Sequence, residues 1–303
     1  MVNKKGIILV LATSVISGFS IFINEFSVAR IEPSVFTFLK NASVAMLLLA
    51  ILLFTKEFSS IRKLTKSQWL MLLLIGIIGG SIPFILFFKG LSLSSAAMGA
   101  FIHKTLFIYA SIFAFVFLKE RISKKILIGG ILLLISSLLL LKLRAPAFSK
   151  GEMLILAATL LWAAENVLSK YALKDISGNI VAFGRMLFGS FFILGYLFLA
   201  DKAQLIPKLT HGSYLWTLMT SILLLGYVIT YYNGLKLIKV STATAILLLG
   251  SPITTLLSSI YSKTFPPLTE ILGIALILAG VLSIIFFVEF SKKSFPQRTH
   301  NVS

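Results

Sequence analysis

Apolar residues along this chain come in long runs, not in the alternation of a half-buried strand or the single stripe of an aqueous helix. A hydrocarbon core takes about 20 consecutive apolar residues per helix. Ten runs approach that length: Gly6–Val28, Ser34–Phe54, Ser67–Phe88, Leu93–Leu118, Lys124–Leu141, Gly151–Ala172, Ile180–Ala200, Ser213–Leu235, Val240–Ser262 and Pro267–Val288. The pattern predicts an all-α integral membrane protein with ten transmembrane helices. The first run, with Lys4-Lys5 before it and Ser27-Val28-Ala29 at its end, has the outline of a secretory signal. It is longer than a signal core and belongs to the repeat described next, so it reads as a retained span.

The pattern is written twice. Gly6 and Gly151 open corresponding runs, and Lys40 and Arg185 stand 145 positions apart. Phe88-Lys89-Gly90-Leu91 returns as Tyr232-Asn233-Gly234-Leu235 at an offset of 144, and Gly129 and Ser136 return as Gly273 and Gly280 at the same offset. So steady a spacing predicts a duplication: one repeat over 1–145, a second over 146–290, and a basic tail over 291–303. Five spans per copy is an odd number, so the second copy enters the bilayer inverted. Two inverted five-helix repeats are a recurrent transporter plan, with the substrate site between the copies near mid-membrane.

Composition sharpens this. Hydrophobic residues make up 58% of the 303 positions and charged residues 13%, against about 25% charged in soluble domains. The lipid bilayer is therefore the principal partner. Cysteine is absent, which removes disulfides, thiolate metal sites and cysteine nucleophiles. The net charge of +18 suggests a nucleic-acid binder at first sight. The Lys and Arg residues sit mostly in short links between apolar runs, where they set membrane orientation, so a nucleic-acid partner is rejected. With the N-terminus inside, the first copy gathers Lys4, Lys5, Lys56, Arg62, Lys63, Lys66, Lys119, Arg121, Lys124 and Lys125 on the inner side, and leaves Arg30 and Lys89 outside. The second copy is balanced, so the first decides: a multi-pass protein of the cell (plasma) membrane with both termini cytoplasmic.

Three stretches carry a family resemblance: Lys119-Glu120-Arg121-Ile122-Ser123 with Gly129; Gly151 through Trp162 and Asn166 to Ser169-Lys170-Tyr171-Ala172-Leu173; and Ser251-Pro252-Ile253-Thr254 to Ser262. Together they resemble the paired EamA-type repeats of the drug/metabolite transporter superfamily. The chain departs from that pattern at Lys263-Thr264-Phe265, where a Glu-Arg pair is expected, at Phe107-Ile108, where a proline is common, and in carrying His103-Lys104. The resemblance implies ten helices in two inverted bundles. It implies a central cavity lined mainly by the third, fourth, eighth and ninth helices, with the first and sixth. It also implies export or exchange of small metabolites without ATP hydrolysis.

Ionisable groups inside spans cost about 2.5–3.5 kcal/mol each even on the lenient insertion scale, so they point to function. Glu165 shares a helix face with Trp162 and Ser169, with Asn166 beside it, and the matching face of the first span carries Ser17, Ser20 and Asn24. Two readings of Glu165 stay open: a cation or proton site in a cavity, or a structural partner of Arg185. Glu25 and Lys40 form a similar candidate pair on the outer side, read first as helix pairing or snorkelling and second as a gate. His103 and Lys104 lie about 15 Å into the fourth span and point about 100° apart. A cation there favours substrates bearing a carboxylate or phosphate, and His103 is a candidate proton carrier. Tyr227, Tyr231 and Thr244 bring hydroxyls into the eighth and ninth spans, with interhelical hydrogen bonding as the plainer reading. Pro83 and Pro252 are candidate helix breaks.

No phosphate-binding lysine loop appears, no dinucleotide fingerprint appears, and His103, His211 and His300 fall too far apart for a metal site; no cofactor is expected. The expected function is secondary active transport of a small organic metabolite, an amino acid or similar or a drug-like compound, by alternating access. Protons are a candidate coupling ion, and the oligomeric state is left open. The competing class is an integral-membrane enzyme acting on a lipid-linked substrate with His103 as base, but such groups usually lie near head groups and not deep in a span. A passive channel, with flux that does not saturate, is a third.

Overall fold

The structure, a computed structural model, describes residues 3–28, 31–94, 96–120, 132, 135 and 149–290. Apart from positions 132 and 135, the fifth apolar run falls outside these residues, as do Gly129, Ser136 and the basic tail. Regular structure among the described residues is helical throughout: α1 (Lys4–Val28), α2 (Pro33–Phe54), α3 (Phe58–Ile61), α4 (Lys66–Gly80), α5 (Ile82–Leu91), α6 (Ala96–Lys104), α7 (Leu106–Leu118), α8 (Lys150–Ala172), α9 (Gly178–Leu199), a 3₁₀ turn (Ala203–Lys208), α10 (His211–Leu237), α11 (Val240–Leu247), α12 (Gly250–Ser262) and α13 (Leu268–Phe290). With α4–α5, α6–α7 and α11–α12 each taken as one stretch, eight stretches among the described residues are long and apolar enough to cross a bilayer. Large apolar side chains such as Met46, Phe54, Phe117, Phe198 and Leu199 stay exposed, as a lipid-facing surface requires.

The duplication is visible in the backbone itself. Lys56 and Asp201, 145 apart, and Lys119 and Lys263, 144 apart, all adopt left-handed conformations with φ between 53° and 61°, each just past a helix end. The αL residue lets the turn close on the helix's last carbonyls. Helix starts repeat too. Thr65 accepts from the Gln68 amide at the start of α4, and Thr210 from the Ser213 amide at the start of α10. Glu32 caps α2 through the Val35 amide, and Ser177 caps α9 through that of Ile180. These side chains satisfy amides that no helical carbonyl can reach.

Two breaks are repeat-related and one is not. The fourth and ninth runs each divide, at Thr105 and at Leu248-Leu249. Pro252 follows the second break as the third residue of α12. The third run divides at Ser81, whose φ and ψ of −135° and −76° leave the helical region, and Pro83 sits in the first turn of α5. Its counterpart α10 runs unbroken for 27 residues.

Packing corrects the expectation of one bundle per copy. The first helix of each repeat sits among helices of the other. α1 packs on α10, α11 and α12; α8 packs on α4, α5, α6 and α7. Glycines permit both crossings. A Cβ on Gly6 would lie 2.7 Å from Leu237 and Ile238, and one on Gly234 2.6 Å from Val10. The mirror crossing sets Gly90 against Gly151, where a Cβ would meet backbone at 2.7 to 2.9 Å. Between the two swapped groups, α2 and α9 pack against each other. They are tied at both ends by equivalent residues: Lys202 Nζ to Glu32 Oε1 at 2.7 Å, and Ser177 Oγ to Glu57 Oε2 at 2.6 Å.

Contacts also fix direction. Gly6 near the start of α1 meets the end of α10. Lys170 near the end of α8 reaches carbonyls at and just past the end of α10, and Glu120 just past α7 reaches the start of α11. So α1 begins on the face where α8 ends, and the first helices of the two repeats run oppositely. This side also carries Lys4, Lys5, Lys56, Arg62, Lys63, Lys66, Lys119 and Lys174, and is called the basic face below.

Candidate functional site

Polar groups converge where α4 stops short. Ending a helix at mid-span leaves its last carbonyls without helical partners. Gly79 O accepts from Trp162 Nε1 and from Arg185 Nη2, each at 3.0 Å, and Gly80 O accepts from Asn41 Nδ2 at 2.9 Å. Bare glycines allow the approach: a Cβ on Gly79 would lie 2.4 Å from Glu165 Cγ and 3.1 Å from Arg185 Nε. Three helices, α2, α8 and α9, thus send side chains to one break.

Glu165 is buried in this hub. Its Oε1 accepts from Ser169 Oγ and Tyr232 OH, each at 2.6 Å. Arg185 keeps Nε buried without a partner. Glu165 and Arg185, whose pairing is one of two open readings of the sequence, approach each other around Gly79, with these hydrogen bonds of each group made elsewhere. Asn166 donates to Trp162 O at 2.8 Å and accepts from Tyr231 OH, while Tyr227 stacks on Tyr231 with centroids 5.7 Å apart. These contacts tie α8 to α10 on the side of the hub nearer the basic face.

Toward the opposite side, Trp162 anchors an aromatic wall. Its ring lies 5.2 Å from Phe84, 5.5 Å from Phe87 and 5.1 Å from His103. His103 is exposed while Trp162 beside it is buried, and Lys104 is half-buried. Beyond lies the counterpart of the hub: Lys40 Nζ donates to Asn24 Oδ1 at 3.0 Å, Asn24 Nδ2 to Ser20 Oγ at 3.3 Å, and the ammonium stands 4.9 Å from the Phe36 ring centroid. The side chain of Glu25 lies outside the described residues. Lys40 has Asn24 as its hydrogen-bond partner. Thr244 turns its hydroxyl to the carbonyls of Val240 and Ser241 in its own helix.

Among the described residues the two swapped groups pack most closely on the basic side. From the basic face inward α7 packs on α11, and at mid-span Phe107 lies against Ala245 with Ile108 and Leu248 around them. Their outer counterparts, α6 and α12, make no comparably close packing among the described residues. Residues the sequence reading did not single out as site members include Gly79, Phe84 and Phe87. Tyr232 stood in the repeated Tyr-Asn-Gly-Leu segment, but its role appears only once α10 is packed on α8.

Apolar spans, a repeated plan and a polar mid-span interior define a multi-pass membrane protein of the transporter class. The family model for the EamA-like transporter family matches residues 4–142 and again 149–286. The chain belongs to the EamA-like transporter family, within the drug/metabolite transporter superfamily. It is similar to the "Uncharacterized transporter YyaM" of Bacillus subtilis (strain 168), 26% identical over 288 residues that cover 91% of this chain and 92% of that one. A solved crystal structure of another protein superimposes with a TM-score of 0.80 at 16% identity, covering 96% of this chain and 99% of that one, a likeness of fold.

Proposed function

We propose that this chain is a secondary transporter that moves a small organic metabolite, an amino acid or similar or a drug-like compound, by alternating access, as an exporter or exchanger. The observation that carries this is a one-sided closure among the described residues: α7 packs on α11 from the basic face inward, while α6 and α12 make no comparably close packing. An exposed His103 against a buried Trp162 supports a hydrated gap on the side opposite the basic face. In this reading the chain is a ten-helix protein of two inverted five-helix repeats, and the moving bodies are the swapped groups headed by α1 and α8. The α2–α9 pair, tied at both ends, is their axis. Substrate binds along the wall formed by His103, Phe87 and Trp162. The basic face is cytoplasmic, the membrane is the plasma membrane, and both termini are cytoplasmic.

Coupling to protons is assigned to Glu165 or His103. Glu165 binds Tyr232 across the contact that must part when the basic face opens, so a proton on its carboxylate would alter that contact. The test is flux in reconstituted vesicles. A transporter gives saturable uptake of a chemically unchanged substrate. If Glu165→Gln and His103→Ala both leave flux and its pH dependence intact, the proton role is lost.

A further inference from the structure

We propose that Glu120 and Lys170 form a charge-matched clamp on the α10–α11 elbow, and that this clamp holds the basic face shut in the resting state. The proposal rests on the transporter reading and adds residues that gate it. Both side chains belong to the group headed by α8, and the elbow belongs to the group headed by α1. Lys170 Nζ donates to the carbonyls of Leu235 and Ile238 at 2.7 Å and of Lys236 at 3.1 Å. Glu120 Oε1 accepts from the Val240 amide at 3.1 Å. The signs match the helix ends they meet: a cation at the carboxyl end of α10 and an anion at the amino end of α11. Lys239, the N-cap of α11, makes no side-chain cap bond, so Glu120 supplies the cap from another helix group.

Repeat symmetry makes the clamp one-sided. The position equivalent to Glu120 is Thr264, and that equivalent to Lys170 is Glu25; the first is neutral and the second has the opposite sign, so neither can repeat the clamp. Thr264 pairs its hydroxyl with Ser262 at 2.6 Å. On the mirrored elbow Ser94 donates to Glu152 at 3.3 Å, a contact inside one group and not between the two. The backbone that presents both ends is the same, since Lys119 and Lys263 share the left-handed turn. The bias toward closure at the basic face therefore lies in side-chain identity and not in the repeated fold. The clamp can also release. Glu120 Oε2 and Ser241 Oγ are buried at this seam without partners, and such groups recover solvation when it opens.

The chain has no cysteine, so one reporter is introduced as Ala245→Cys, a fully buried position in the α7–α11 seam. The reporter protein is reconstituted, and a membrane-impermeant maleimide is applied to the basic face. Adding Glu120→Gln and Lys170→Gln together should raise the labelling rate about tenfold, with each single change intermediate, the response expected when charge-assisted bonds are lost from one side of an opening equilibrium. Glu120→Asp with Lys170→Arg should label near the parental rate. A monodisperse double variant that labels at the parental rate overturns the clamp. If the double variant does not fold, Glu120→Gln alone decides on the same readout, and an unchanged rate again overturns it. Loss of saturable flux in the parent would count against the transporter reading, while the labelling ratio would still judge the clamp.

Discussion

The clusters around Arg185 and Lys40 occupy equivalent places in the two repeats yet are chemically unlike. Arg185 reaches the Gly79 carbonyl beside a buried carboxylate, Glu165, which is itself held by Ser169 and Tyr232. Lys40 has Asn24 and the Phe36 ring, with Ser20 at the position where the other copy has Glu165. Duplication supplied two copies of a cation inside a span. Among the described residues only the Arg185 cluster has a buried carboxylate, and it gathers at the break after α4, a helix of the other repeat. In the transporter reading proposed above, pseudo-symmetry supplies two gates in the backbone, and side chains decide which is shut.

The sharpest way to break this comparison is to remove each cation in turn. Arg185→Met leaves Glu165 buried without its nearby positive charge and Gly79 O short of a donor. Removing one member of such a buried arrangement costs about 3–5 kcal/mol. Lys40→Met removes a cation that has no described carboxylate partner, so the cost should stay within about 1 kcal/mol. Thermal or denaturant unfolding in detergent checks both. Equal losses would mean that the two clusters are energetically alike.

Next in size is Tyr232→Phe, which makes the Arg185 side resemble its counterpart, since position 88 is already Phe. A buried hydrogen bond to a charged group is worth about 1.5–3 kcal/mol, and its loss should also ease opening of the basic face. Unfolding together with maleimide labelling of Ala245→Cys reports both. A stable variant with unchanged labelling would show that Tyr232 does not hold the gate.

Much of this was legible beforehand, and for a clear reason. Run length reports span position, because lipid leaves no alternative to a helix. Offsets of 144 and 145 report the duplication because they survive in chemically special residues such as Gly6, Gly90 and Lys40. Trp162, Glu165, Asn166 and Arg185 stood out as polar groups in apolar runs, and they do assemble. What the runs hide is which repeat each helix packs in. Nothing local to Gly6 or Gly151 says that its partner is Gly234 or Gly90, so the swap of first helices is a tertiary fact. The break at Thr105 also escaped, since no proline marks it. Glu120 and Lys170 sat within recognised segments, but their partners are backbone atoms some 65 to 120 positions away.

Gly79→Ala probes the hub by shape instead of charge. Its Cβ would need the space of Glu165 Cγ at 2.4 Å, and overpacking of this kind costs about 1–3 kcal/mol. Gly195→Ala is the matched control. It lies in α9, with nothing within 4 Å of the added carbon. There the lower chain entropy of Ala should leave stability unchanged or raise it by up to about 1 kcal/mol. If both substitutions behave alike in unfolding, the close approach at Gly79 is not what shapes the hub.

The smallest effect belongs to the two ends of the α2–α9 pair, where the repeat again writes one contact in two chemistries: Glu32 with Lys202, and Ser177 with Glu57. Burial works against charge on Glu32. The Lys202 ammonium at 2.7 Å, with the Val35 amide and the Ser34 hydroxyl, outweighs it and holds the carboxyl below its ordinary value. Its hydrogen bond to Glu32 in turn raises Lys202. A lowered carboxylate adds stability that is complete above its unfolded value, about 4.3, and is lost as pH falls through the folded one. A raised lysine adds stability that is complete below its unfolded value, about 10.4, and is lost as pH rises through the folded one. The pair therefore contributes across the plateau between those limits. A half-exposed ion pair is worth about 0.2–1 kcal/mol and weakens with salt. Glu32→Gln should lower Tm by a degree or so near neutral pH, with the difference shrinking below about pH 4 and in about 1 M salt. Ser177→Ala should produce a loss of similar size that salt leaves largely alone, since a neutral hydroxyl is the donor to Glu57. If the Glu32 effect is indifferent to salt and acid, the contact acts as an N-cap for α2 alone, and the axis is held without electrostatics.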